Sequence, residues 1–221
     1  NKNYSSWAMR PWVLMRQAGI EFAEHKERFD SFEAQSQFKH ALLALNPHGK
    51  VPVLIDQGLV VWDSLAIAEY VAEKFPQLNL WPSQAPLRAR ARSLCADIHS
   101  GYTALRQHCG MNIEADLQDI GADLFEKNAG LRADLARIES LWSQYLRYSK
   151  GPMLFGTFSA IDAYFTPTVM RIQSYGLPIS ATSQAYANRL VALKSVNQWI
   201  NDAIAEDDFL SFEEPYRLKD D

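Results

Sequence analysis

Apolar positions divide the chain into a short mixed front and a long helical back. From Ala8 to Ala18, Met9, Trp12, Val13 and Leu14 recur at helical spacing and Gly19 ends the run. Pro11 falls in what reads as the first turn of that helix, where a proline is tolerated. Phe22 to Phe29 is expected as a strand, with its alternation blurred by charges. Phe32 to Leu45 is expected as a helix, closed by the breaker cluster Asn46-Pro47-His48-Gly49. Val51 to Ile55 and Leu59 to Trp62 are short strands around Asp56-Gln57-Gly58, a hairpin signal. Ser64 to Phe75 reads as a helix stopped by Pro76. The order helix, strand, helix, hairpin, helix predicts an α/β unit over residues 1–76.

Pro76, Pro82 and Pro86 mark a linker at residues 77–86, after which no strand pattern appears. Residues 87–221 are expected to form an all-helical domain. Its helices are predicted over Leu87–His108, Ala115–Tyr148, Ser159–Tyr175, Ser183–Leu193 and Ser195–Ala205, with Gly121 and Gly130 bending the second. The 221 residues suffice for one large or two modest domains.

Composition removes several function classes. A net charge of −4 shows no basic face for nucleic acid, and Arg88, Arg90 and Arg92 read as a solvated helix face. No apolar run approaches the roughly 18 residues of a membrane span, and no signal peptide is expected. A cytoplasmic location is expected. Cys95 and Cys109 read as members of one helix, which would hold them about 21 Å apart, beyond disulfide reach. The chain begins Asn1-Lys2-Asn3-Tyr4, without an initiator Met or an apolar strand before the first helix. A short segment ahead of Asn1 is therefore expected.

Among candidate chemistries, Cys95 and His99 would share a helix face, but two ligands do not make a zinc site, and no metal is expected. No nucleophile elbow, Gly-rich phosphate loop or zinc-protease motif occurs. Three other features stand out. Tyr4-Ser5-Ser6-Trp7 precedes the first helix: a serine there can cap the helix, or can donate to an anion such as a bound thiolate and lower its pKa. Val51-Pro52 opens a strand: the proline is either an ordinary trans residue at a sheet edge, or cis, leaving the Val51 main chain free to pair with an extended peptide. Asp63-Ser64 heads a helix, as a plain cap or as a grip for a ligand carboxylate.

In combination, Ser5-Ser6, Asn46-Pro47 through Lys50-Val51-Pro52-Val53-Leu54, and Asp63-Ser64-Leu65-Ala66-Ile67 with Tyr70 resemble the N-terminal domain of cytosolic glutathione transferases. The serine pair followed by Trp7 and Arg10 is most similar to the zeta class, and Ser159-Ala160-Ile161-Asp162 resembles the capping box of the family's helical domain. The resemblance implies a thioredoxin-like fold followed by a helical bundle, with the first strand of that fold missing from the sequence. It implies a homodimer that joins glutathione, a co-substrate rather than a cofactor, to small electrophiles. Ser5 would stabilise the thiolate, with Ser6 as its rival. Gln37 and Lys50 would hold the glycine end or backbone of glutathione, Val51 beside a cis Pro52 its cysteinyl backbone, and Asp63 and Ser64 its γ-glutamyl end.

The electrophile is expected near Trp7, Tyr102, Arg106, His108, Met111 and Asn112. Ser159 and Asp162 are expected to be structural. Trp7 stands where the zeta class has cysteine, and Asp63 where it often has glutamine. The alternatives are a maleylacetoacetate isomerase-like activity at the same site and a non-catalytic interaction module of the same fold. Thiol–disulfide chemistry is disfavoured, since no cysteine heads the first helix.

Overall fold

The computed structural model describes residues 1–218. The front part holds α1 (Ser6–Gln17), α2 (Gln37–Leu43), the antiparallel hairpin of β1 (Val53–Asp56) and β2 (Leu59–Trp62), and α3 (Ser64–Lys74). The hairpin closes through Gln57 and Gly58, both at positive φ (50° and 85°), which matches the twist of a tight turn. Val53 faces Trp62 and Asp56 faces Leu59 across the ladder.

The expected strand over Phe22–Phe29 does not form. Residues 20–30 carry no ladder, and among the described residues β1 pairs only with β2. Alternation can mark a segment as extended, but a strand also needs a partner edge to bond to. Side chains hold this stretch instead: Lys2 Nζ and Trp12 Nε1 both bond the Glu24 carboxylate, and Arg28 pairs with Asp208.

The helical part comprises α4 (Ala85–Ser100), α5 (Thr103–His108), α6 (Gln118–Lys127), α7 (Ala129–Ser149), α8 (Ala160–Ser174), α9 (Ala181–Val191) and α10 (Lys194–Glu206). Two predicted helices are each divided. Gly101 and Tyr102, the latter left-handed at φ 51°, separate α4 from α5, so Cys95 and Cys109 lie on either side of a break. Both cysteines are free and buried. The second break falls at Asn128, whose side chain caps α7 by accepting from the Leu131 N–H. It does not fall at Gly121 or Gly130. Gly121 has a packing role, since a Cβ there would lie 1.7 Å from the Tyr175 carbonyl oxygen.

Helix α8 is the centre of the molecule. Every residue from Ala160 to Ile172 is buried, the signature of a helix enclosed on all sides. It packs against α1, α4 and α9, while α1 also meets α3 and α10. Pro167 lacks the N–H that would bond the Ala163 carbonyl, and the Thr166 hydroxyl bonds that carbonyl instead, at 2.7 Å. Pro11 sits in the second turn of α1, one turn later than the sequence suggests.

Candidate functional site

The start of α1 is the natural place for an anion, because its first amides point outward without helical acceptors. Ser5 occupies the N-cap position, but its side chain makes no capping bond. It is half-buried and forms no side-chain hydrogen bond among the described residues, so its hydroxyl is free to donate. Ser6 is different. It is buried in the first turn, and its hydroxyl oxygen accepts from Arg171 Nη2 of α8 at 3.3 Å.

Ser5 lines a groove of about 780 Å³ together with Val51, Pro52 and Val53. The groove runs between α1, the extended Ile20–Lys26 stretch and β1, with Pro11, Trp12 and Val71 on its walls. The Val51–Pro52 bond is cis. The Asn46 amide bonds the Lys50 carbonyl at 3.0 Å and so holds the approach to this turn. Lys50 and Gln37 are both exposed; Gln37 opens α2 and its main-chain N–H donates to Asp30.

Asp63 caps α3 through the Leu65 N–H at 2.8 Å, with its own backbone at φ 75°. Its other carboxylate oxygen lies 3.4 Å from His99 Nε2. Ser64 is buried, and its hydroxyl oxygen accepts from the Tyr164 hydroxyl of α8 at 3.1 Å. The front and helical parts therefore meet through the residues singled out in the sequence.

Trp7 lies among Arg10, His99 and Arg106. Its half-buried ring lies 3.9 Å from the Arg10 guanidinium, 5.7 Å from that of Arg106 and 4.9 Å from the His99 ring. Arg106 also bonds the His99 carbonyl. Burial lowers the Arg10 pKa to about 9 and that of Arg171 to about 10, so both remain cationic at neutral pH.

Tyr102 faces elsewhere, with Arg137 of α7 5.0 Å from its ring. Asn112 is buried and fully committed. Its Oδ1 accepts from Asn3 and from the main chain at Glu114 and Ala115, and its Nδ2 donates to the Tyr216 hydroxyl. It is a structural knot between the chain start and residues 113–115. His108 is exposed and Met111 buried.

Spacing alone misses Tyr164 and Arg171, which come from α8. Arg171 does carry a signal: it is a lone cation in a run that is otherwise apolar or small from Ala160 to Ile172, apart from the capping Asp162. A charge there is either paired or functional.

Residues 4–74 match the family of the glutathione S-transferase N-terminal domain. The chain is 24% identical over 198 residues to a stringent starvation protein A homolog of Histophilus somni, covering 90% of this chain and 81% of that one. Over 69 residues it is 45% identical to a maleylacetoacetate isomerase of Pseudomonas aeruginosa, covering 29% and 32% of the two chains. The fold is similar to that of a glutathione transferase homolog from Burkholderia GL BGR1 with bound glutathione, at TM-score 0.67 and 21% identity, covering 92% and 95%. The matched segment takes in α1, the hairpin and α3, and the likeness to the solved structure is one of fold.

Proposed function

We propose that the protein is a glutathione transferase of zeta-like type, in which Ser5 and the N-terminus of α1 hold glutathione as its thiolate. The reading is carried by one observation: an uncommitted Ser5 hydroxyl at a helix start lines the same groove as Val51 and Pro52. A hydroxyl donor and oriented amides favour the anionic form of a thiol, and the thiolate is the nucleophile. The tripeptide would lie with its cysteinyl backbone against Val51 and its γ-glutamyl end at Asp63 and Ser64. Gln37 and Lys50 would guide the glycine end from the exposed rim. The electrophile would enter on the side of Trp7 and Arg106.

The test is binding of S-hexylglutathione by calorimetry, followed by conjugation of a generic aryl halide. Binding with turnover is the expected result. Binding without turnover toward any electrophile would favour a non-catalytic module of the same fold. Absence of binding would overturn the transferase reading altogether.

The same reading includes a homodimer. Ile55, Leu59 and Trp62 expose apolar side chains along the hairpin, a surface suited to a second subunit. Light scattering at micromolar concentration should give about twice the 25.1 kDa chain mass. A mass near that of one chain would remove the dimer.

A further inference from the structure

The backbone at Ser5 is not that of a capping serine. An N-cap residue ordinarily has an extended backbone, and its side-chain oxygen accepts from an amide two or three places on. Ser36 and Ser180 do this at the heads of α2 and α9, with ψ 151° and 159°. Ser5 stands at φ −81° and ψ 76°, close to an inverse γ-turn, which the Ser6 N–H closes on the Tyr4 carbonyl at 2.9 Å. In that conformation its hydroxyl makes no capping bond. An extended Ser5 would turn the hydroxyl onto the amides of α1, as the other two serines do. The chain ahead of Ser5 must therefore be held.

The C-terminal segment supplies the hold. Asp207, left-handed at φ 43°, ends α10, and residues 208–217 return to the chain start. Asp208 accepts from Asn1 and pairs with Arg28, while the Phe212 ring meets Phe29 edge-on at 5.4 Å. Glu214 is fully buried; its Oε1 accepts from the Tyr4 hydroxyl, and its Oε2 lies 2.8 Å from Arg217 Nε. The Tyr4 oxygen in turn accepts from the Leu210 N–H at 3.4 Å. Burial and the Glu214 bond push the Tyr4 hydroxyl upward from its ordinary pKa, so it remains a donor. A buried carboxylate persists where it is paired and hydrogen-bonded, and Tyr4 and Arg217 meet both conditions.

We propose that Tyr4 and Glu214 are positioning residues: their clasp fixes the Tyr4 main chain, keeps Ser5 in its γ-turn, and so keeps the Ser5 hydroxyl free for the thiol. This inference rests on the transferase reading above. Tyr4 is the residue whose carbonyl closes the turn, so an anchor on its side chain acts directly on the conformation of Ser5. The anchor comes from 210 positions along the chain, which makes the C-terminal segment part of the thiol site without contact to the thiol.

Tyr4→Phe keeps the ring and removes the clasp. It should lower kcat for conjugation about tenfold and leave KM for glutathione unchanged, because a displaced donor forfeits part of what a placed one supplies. The pKa of the bound thiol, read from thiolate absorbance, should rise by about one pH unit, the same tenfold in free energy. Glu214→Ala should do likewise, and Glu214→Gln, which still offers Tyr4 an acceptor, should stay near wild type. Lys127→Gln, at an exposed pair with Asp123, should change nothing. The double variant Tyr4→Phe with Ser5→Ala should be no slower than Ser5→Ala alone, since Tyr4 acts through Ser5.

A Tyr4→Phe variant with wild-type kcat and thiol pKa would overturn the positioning role, even if its unfolding midpoint in urea fell, since that fall alone marks a purely structural bond. A further tenfold loss in the double variant would also overturn it, by showing that Tyr4 acts apart from Ser5. If Glu214→Ala does not fold, Tyr4→Phe carries the test. S-hexylglutathione tells the two readings apart. If wild type binds it and turns over while Tyr4→Phe is unchanged, the clasp falls and the transferase stands. If wild type does not bind it, the transferase reading falls and the role of the clasp falls with it.

Discussion

Ser5→Ala should lower the rate of glutathione conjugation by roughly 10²–10³-fold, the usual cost of removing one donor aimed at developing or resident negative charge. Ser5 stands at the head of α1 with no capping bond to break, so its hydroxyl has little structural work that the mutation could disturb. Affinity for glutathione should fall much less, because the proposed contacts at Val51, Asp63 and Ser64 remain. Ser6→Ala should behave differently. It removes the acceptor of a 3.3 Å bond from Arg171, and should cost about 1 kcal/mol of stability, the worth of one ordinary hydrogen bond. Capping plays no part in that loss, since the cap position belongs to Ser5. The measurements are steady-state kinetics and the thiolate absorbance of bound glutathione against pH. Loss of the thiolate signal in Ser6→Ala alone would transfer the role to Ser6. An unchanged signal in both variants would leave the amides of α1 or Arg10 as the stabilising groups.

The parts of this molecule that can be read from sequence are those whose cause is local. Helices α9 and α10 announce themselves by apolar periodicity, α8 by its largely apolar run behind the Ser159–Asp162 box, and the hairpin by Gly58 between two apolar runs. The start of α1, the Val51–Pro52 turn and the Asp63–Ser64 cap are likewise local patterns. The stretch from Phe22 to Phe29 is not, because a strand exists only where another edge receives its bonds. The break at Tyr102 carries little local warning, since a tyrosine at φ 51° is imposed by its surroundings. The break at Asn128 did carry one, an asparagine three residues before Leu131, which a capping search finds. The site divides in the same way. Ser5, Asp63 and Ser64 lie in motifs, whereas Arg171 and Tyr164 reach Ser6 and Ser64 from α8, far along the chain, and no spacing rule connects them.

Asp162→Ala should destabilise the protein by about 3–5 kcal/mol, a large share of the roughly 5–15 kcal/mol that holds a typical domain together. Asp162 is fully buried at the start of the central helix. Its Oδ1 accepts from the Tyr186 hydroxyl at 2.8 Å and the Leu154 N–H at 3.2 Å, and its Oδ2 from the Ser159 N–H at 3.0 Å and hydroxyl at 3.2 Å. Burial pushes the carboxyl up to about 6 while these donors pull it down, so it is ionised at neutral pH. The carboxylate thus ties α9 and the turn before α8 to the first turn of α8, as the capping-box reading expects. Removing it strands two main-chain N–H groups that cannot rotate away, each costing about 1–3 kcal/mol when buried without a partner. Asp162→Asn keeps the volume and one acceptor but turns an amide donor toward donors, so it should cost less than alanine and more than 1 kcal/mol by the same accounting. Urea unfolding with unchanged m-values is the measurement. Because α1 lies against α8, the alanine variant should lose S-hexylglutathione binding along with its fold, and lowering the temperature should restore both together. A variant with wild-type unfolding midpoint would show that the box is dispensable and that α8 is held by its apolar surface alone.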